Sequence, residues 1–192
     1  MTKPGVLVML ILWFTLLGKW EGSLVWFGLA LVFSLGGDVF LLFSKRFFLF
    51  GLLSFFVGHV FYLIGFNQTL PPLDLGTLAI LVGLGVAAVT FYRFIRRGLM
   101  RDPESAAMSI PVLAYTVILT LMAFSAIATL LRPDWPMEAA ILAAVGGMLF
   151  FISDSTLATE TFVRRFPYSS VIVIVTYHLA QLALTYAALL RY

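Results

Sequence analysis

The 192-residue chain contains no cysteine and very little charge. Without cysteine it can build no disulfide framework, no thiolate metal site and no thiol nucleophile, although its redox compartment stays open. Only 11% of the residues are Asp, Glu, Lys or Arg, whereas a soluble domain carries about 25%. Such a chain lacks the polar material to coat a water-facing surface. With 62% of its residues hydrophobic, the solvent that suits it is lipid. Long linkers and low-complexity tracts are missing too. Residues 1–192 therefore suit one transmembrane helical-bundle domain, with no room for a second folded unit. The net charge of +3 does not point to nucleic acid, because the basic residues sit in short breaks between apolar runs. There they set orientation in a membrane.

The apolar runs predict an all-α polytopic membrane protein with about seven transmembrane helices, at Pro4–Gly18, Gly22–Phe43, Phe47–Phe66, Leu75–Ile95, Ser109–Leu131, Met137–Leu157 and Ser170–Leu190. All but the first have about 20 residues or more, enough to cross a ~30 Å hydrocarbon core as helix. Lys3 and the short apolar run after it resemble a signal peptide, but Leu17-Gly18-Lys19-Trp20 offers no small-x-small cleavage site. The breaks contain suitable residues, among them Asn67, Gln68, Pro71 and Pro72, and later Arg132-Pro133-Asp134. Alternating sides along the chain puts Lys3, Lys45, Arg46, Arg93, Arg96, Arg97, Arg101, Arg164 and Arg165 on one side of the membrane. Only Lys19, Arg132 and Arg191 fall on the other. That bias predicts a cytoplasmic N-terminus and an external C-terminus. The terse loops fit a bacterial inner membrane.

A charge in hydrocarbon costs several kcal/mol unless it is paired or neutralised. Glu21, Asp74, Asp102, Glu104, Asp134 and Glu160 are expected in loops, and Glu138 at a helix N-terminus, where a carboxylate is favourable. Two aspartates remain. Asp38 lies seven residues before Lys45, and Asp154 ten before Arg164. Both spans run the same way, so the two carboxyls can share one layer in the cytoplasmic half of the bundle, roughly 10 Å from its end. The two histidines follow in the next spans. His59 lines up at helical spacing with Phe55, Tyr62 and Phe66. Tyr177 and Gln181 form an i,i+4 pair, with His178 also within reach of Gln181. Gly36-Gly37 and Gly146-Gly147 precede the aspartates, and small residues allow the close helix approach that a polar cluster needs. An isolated membrane Asp can simply hold a bundle together by hydrogen bonds. Two at matched depth, with Tyr, His and Gln nearby, mark a functional site.

An Asp-bearing span followed by a His-bearing span occurs twice, four spans apart. This pattern predicts a parallel internal duplication. The 19 phenylalanines read as lipid-facing or core material, and Arg93, Arg96 and Arg97 as a solvated cluster able to attract lipid phosphates.

At these residues the sequence resembles the YhhN/TMEM86 family of membrane lysoplasmalogenases. The resembling stretches are Lys3-Pro4, Gly37-Asp38 with Leu41-Leu42, Gly51 through His59 and Tyr62 to Phe66, and Tyr115 with Met122. Gly146-Gly147-Met148-Leu149-Phe150-Phe151-Ile152-Ser153-Asp154-Ser155 and Tyr177-His178-Leu179-Ala180-Gln181 complete the ordered set. The family is usually drawn with eight spans, and this chain seen against it begins at the second. The resemblance implies hydrolysis of the vinyl-ether bond of a lysoplasmalogen, giving a fatty aldehyde and glycerophospho-ethanolamine or -choline. Its catalytic pair maps onto Asp38 and Asp154. His59, Tyr62, Tyr115, Tyr177, His178 and Gln181 are then expected to bind the polar head region or orient water, with Ser153 as a supporting donor. The expected partners are a lysophospholipid entering laterally between helices and the surrounding membrane lipids. No cofactor and no metal are called for. Two rival classes use the same residues. A zinc-dependent intramembrane lipid hydrolase would draw ligands from Asp38, Asp154, His59 and His178. A proton-coupled transporter would use the carboxyls as a relay.

Overall fold

The computed structural model describes residues 3–18, 20–43 and 45–192, with the side chains of Lys3 and Lys45 excepted. Lys19, counted above for orientation, lies outside the described residues. The described chain is helical throughout: α1 (Lys3–Gly18), α2 (Leu24–Leu42), α3 (Phe48–Phe66), α4 (Leu75–Leu99), α5 (Pro103–Ala107), α6 (Ser109–Ala128), α7 (Met137–Phe162) and α8 (Ser169–Arg191). Six of these are long and apolar enough to cross a membrane, and α1 is a shorter apolar helix of 16 residues. The chain is an integral membrane protein. Helices are the natural solution here, since every backbone amide in lipid must be bonded within its own segment.

Helix ends follow local chemistry. Asp74 caps α4, its carboxylate accepting from the Thr77 amide at 2.7 Å. Hydrogen bonding by that amide lowers the Asp74 pKa below its ordinary value. Asp102 caps α5 by accepting from the Ser105 amide at 2.8 Å, with Pro103 in the first turn, where its missing N–H costs nothing. Two helices outrun their expected limits. α4 continues past Ile95 to Leu99, and α7 past Leu157 to Phe162. An apolar run stops at its first charges, whereas the hydrogen-bond ladder continues past them. Glu160 therefore sits in the last turn of α7, not in a loop, and pairs with Arg165 at 3.2 Å. The short α5 lies in what was expected to be a plain loop.

Two helix pairs are packed most closely, α2 with α3 and α7 with α8. α6 bridges them by lying against both α3 and α7, and α1 covers α2 and α8. The glycine pairs do what their size allows. A side chain on Gly37 would strike the Phe55 ring, and one on Gly146 would stand 2.8 Å from Leu184. The core within the α2–α3 pair is aromatic: the Phe27 ring meets Tyr62 at 5.9 Å and Phe66 at 5.1 Å, edge to face. Outward positions carry Leu78, Val82, Val86 and Val89 on α4 and Val171, Val175, Leu179 and Leu182 on α8, all exposed. These are the lipid face.

One end of the bundle is closed by a charged knot. Arg132, only 4% exposed, donates to the Phe66 carbonyl at 2.6 Å and to Thr69, and pairs with Asp134 at 3.2 Å. Arg191 reaches the same carboxylate at 3.0 Å, and both guanidiniums lie over the Trp135 ring at 5.7 and 5.8 Å. Partial burial opposes ionisation of Asp134, but hydrogen bonds from Arg132, Thr69 and Arg191 outweigh it. They hold Asp134 well below the usual carboxylate range. The ends of α3 and α8 and the α6–α7 turn are thereby tied together. The candidate site lies towards the opposite end.

Candidate active site

Asp38 is four residues from the end of α2, and Asp154 eight from the end of α7. At 1.5 Å per residue, their depths differ by only about 6 Å. Both line one cavity whose wall is otherwise largely apolar. Asp38 is 3% exposed, and the side chain of Asp154 11%.

Each aspartate is met by a helix from the other pair. Tyr177 on α8 donates its hydroxyl to Asp38 Oδ2 at 3.0 Å. Tyr115 on α6 donates to Asp154 Oδ2, and His59 on α3 places Nε2 3.0 Å from the Tyr115 oxygen and 3.6 Å from the same carboxylate oxygen. The Tyr115 hydroxyl thus stands between the carboxylate and the imidazole, and the tautomer of His59 sets the direction of its bond to the phenol. Nδ1 of that ring is buried with no hydrogen-bond partner. Phe150 separates and steadies the two clusters, edge-on to His59 at 4.7 Å and to Tyr177 at 5.5 Å. The carboxyls, two phenols and the imidazole thus form two short polar chains in an apolar setting, where such bonds are strong.

The remaining expected residues fall in three places. Ser153 lines the cavity, but its hydroxyl donates to the Val173 carbonyl at 3.2 Å and so ties α7 to α8. Tyr62 and Gln181 lie deeper and off the cavity wall, joined by a 2.5 Å bond from the phenol to Oε1. His178 is half-buried beside the Tyr177 ring and does not line the cavity. Among the described residues, no three His, Asp or Glu side chains gather as a metal-ligand set.

Several cavity residues carry no signal in the sequence. Ser155 follows Asp154 directly, lines the cavity, and keeps its hydroxyl buried without a hydrogen-bond partner. Leu52, Phe91 and Phe162 form much of the apolar wall, but a Phe or Leu in a membrane helix looks the same whether it faces lipid, core or ligand. The Ser153-Asp154-Ser155 adjacency was the only available pointer to Ser155.

A family model described as the YhhN family matches residues 1–188. Lysoplasmalogenase TMEM86B of Rattus norvegicus is 34% identical over 189 residues, covering 97% of this chain and 70% of that protein. Lysoplasmalogenase TMEM86B of Mus musculus is 34% identical over 160 residues, or 83% of this chain and 62% of that one. Lysoplasmalogenase TMEM86A of Homo sapiens is 36% identical over 162 residues, again 62% of its length, with 82% of this chain covered. No solved structure matches.

Proposed function

Because the chain belongs to the YhhN family, whose matched relatives are named lysoplasmalogenases, we propose that it is a membrane hydrolase of the vinyl-ether bond in lysoplasmalogens. The observation that carries this reading is the pair of carboxyls, Asp38 and Asp154, on the wall of one largely apolar cavity. A lysophospholipid supplies both things such a cavity fits, a hydrocarbon chain and a reacting bond at its polar end.

The chemistry asks for two carboxyls in different states. A protonated one gives its proton to the vinyl carbon remote from oxygen, leaving an oxocarbenium-like cation at the carbon attached to oxygen. An ionised one stabilises that cation and takes a proton from the water that attacks it. The hemiacetal then collapses: the carbon–oxygen bond to glycerol breaks, a fatty aldehyde leaves, and the glycerol oxygen takes the proton. Water is the only co-reactant. Two carboxyls on one cavity wall can divide these roles between them. Two-carboxylate glycosidases meet the same demand at a similar cation.

Around the pair, Tyr177 and Tyr115 orient the carboxyl oxygens and, from the cavity wall, can reach the glycerol and its hydroxyl. His59 acts on Asp154 through Tyr115. Tyr62 and Gln181 brace α3 against α8 behind the reacting layer, and Ser153 and Ser155 bound the water site. His178 contributes from beside Tyr177. The orientation bias supports a cytoplasmic N-terminus in a bacterial inner membrane, with the cavity in the cytoplasmic half. Aldehyde release from a defined vinyl-ether lysophospholipid by purified protein tests the proposal. A well-folded, lipid-reconstituted protein that releases none would refute it.

A further inference from the structure

The cavity does not end at the aspartates. Besides Asp38, Asp154 and Tyr177, its wall includes Thr116 and an apolar part, the limb, formed by Leu52, Phe91, Val112, Leu119 and Phe162. These side chains come from α3, α4, α6 and α7. α4 is attached unusually. It lies against α6 and the end of α7, while among the described residues its backbone does not run alongside α3. Most of its apolar side chains face outward, including Leu78, Leu81, Val82, Val86 and Val89.

α4 is held along α6, with Gly76 against Leu131 near its start, and its C-terminal end is tied to α7 as well. Gly98 there lets the helix press against the Phe162 carbonyl, where any side chain would collide. Arg101 donates to the Val163 carbonyl at 3.0 Å. Ile95, Leu99 and Val112 form a small buried cluster, with Leu52 and Phe162 packed on it. α4 thus packs on α6 and α7 and not along α3, and on the α3–α4 side the half-buried Leu52, Phe91 and Phe162 line the cavity.

We infer that the gap between α3 and α4, framed by Leu52, Phe91 and Phe162, is the port through which the hydrocarbon chain of a single-chain lipid passes. The chain lies in the limb and extends into the bilayer, while its polar end stays at the carboxyls. This rests on the lipid-hydrolase reading of the site and adds to it the direction of entry and the residues that grip the chain. A route at this place leaves the methylenes in apolar surroundings throughout, out of contact with water. Entry through the opposite end would drag the chain past the Arg132–Asp134 knot.

The test needs no turnover. A saturated alkyl-ether lysophosphoethanolamine with a diazirine in its chain is incorporated in lipid nanodiscs with the protein, irradiated, and the adducts mapped by mass spectrometry. Adducts around Leu52 and Phe91 that an unlabelled lysolipid competes away are the expected result. Competed adducts on the α1 or α8 face instead, or no competed adduct anywhere, overturn the port. A second arm uses the absence of cysteine. Leu52→Cys with Phe91→Cys, bridged by a short bis-methanethiosulfonate that forms a disulfide to each thiol and releases methanesulfinate, should lower the competed labelling at least about tenfold, and reduction should restore it. Unchanged labelling of the bridged protein also overturns the port. Vinyl-ether hydrolysis, measured on the same preparation, separates the two ideas. Port labelling without hydrolysis refutes the reaction and keeps the port; hydrolysis with labelling elsewhere refutes the port alone.

Discussion

Tyr115→Phe removes one oxygen atom and should tell a catalytic arrangement from a merely structural one. The hydroxyl lies between Asp154 and His59, donating to the carboxylate and standing 3.0 Å from Nε2. Its loss takes from Asp154 a hydrogen bond of the kind worth about 1.5–3 kcal/mol when one partner is charged. At 1.36 kcal/mol per tenfold in rate, this corresponds to a fall in kcat of roughly 10- to 150-fold if the bond acts in the transition state. His59 limits the damage, since its Nε2 is already 3.6 Å from the same oxygen and can close up. The lower part of that range is therefore expected. The ring remains in place, so its packing against His59 at 5.3 Å survives, and thermal stability should change by no more than about 1 kcal/mol. The assay is aldehyde release over substrate concentration, paired with a thermal melt in the same detergent. A loss confined to kcat supports the relay. Wild-type kcat, or a melt that collapses while the surviving protein turns over normally, would refute it.

His59→Ala should lose more than about tenfold in kcat, because its Nε2 stands within reach of both Asp154 and Tyr115; wild-type kcat in the same assay would contradict the placement. Gly37→Val should destabilise by about 1–3 kcal/mol through overpacking against Phe55, seen as a lowered Tm, and should pull Asp38 off Tyr177 with it. Asp134→Asn leaves the buried Arg132 guanidinium short of its counter-charge and should cost roughly 2 kcal/mol, after discounting for the exposure of Asp134. The same pair makes an acid limit. Asp134 is held below its unfolded value, near 4 for a free carboxyl, so its contribution is complete above about pH 4 and fades as pH falls through the lower folded value. Wild-type Tm should drop in that acid window, and the Asn variant should lack this component.

Much of the fold was legible because lipid imposes a simple rule. Apolar runs long enough to span located every long helix, and Gly37 and Gly146 announced close approach. The extra turns of α4 and α7 were not legible from hydropathy, since Arg96, Arg97 and Glu160 end an apolar run without ending a helix. For the site, spacing from loop charges placed Asp38 and Asp154 at similar depth. Depth along a helix is readable from sequence, but the direction a side chain faces across the bundle is not. Thus the crosswise pairing of Asp38 with Tyr177, and of Asp154 with Tyr115 and His59, emerged only with the packing. The likeness between the Asp–His helix pairs holds for the aspartates but not for the histidines. His59 is buried at the centre, and His178 stands beside the cavity. Leu52, Phe91 and Phe162 were invisible for a different reason: an apolar wall in an apolar protein has no compositional contrast.

Aldehyde release from a defined vinyl-ether lysophospholipid, compared between wild-type protein, Asp38→Asn and Asp154→Asn in the same lipid, is the most direct test of the two-carboxyl chemistry. Running each with and without EDTA adds the rival metal chemistry to the same plate. Chelator-resistant release by the wild type, reduced by at least about a thousandfold in each Asn variant, is the expected result. Full activity in either single variant, with both proteins folded, would show that the pair is not the catalytic unit.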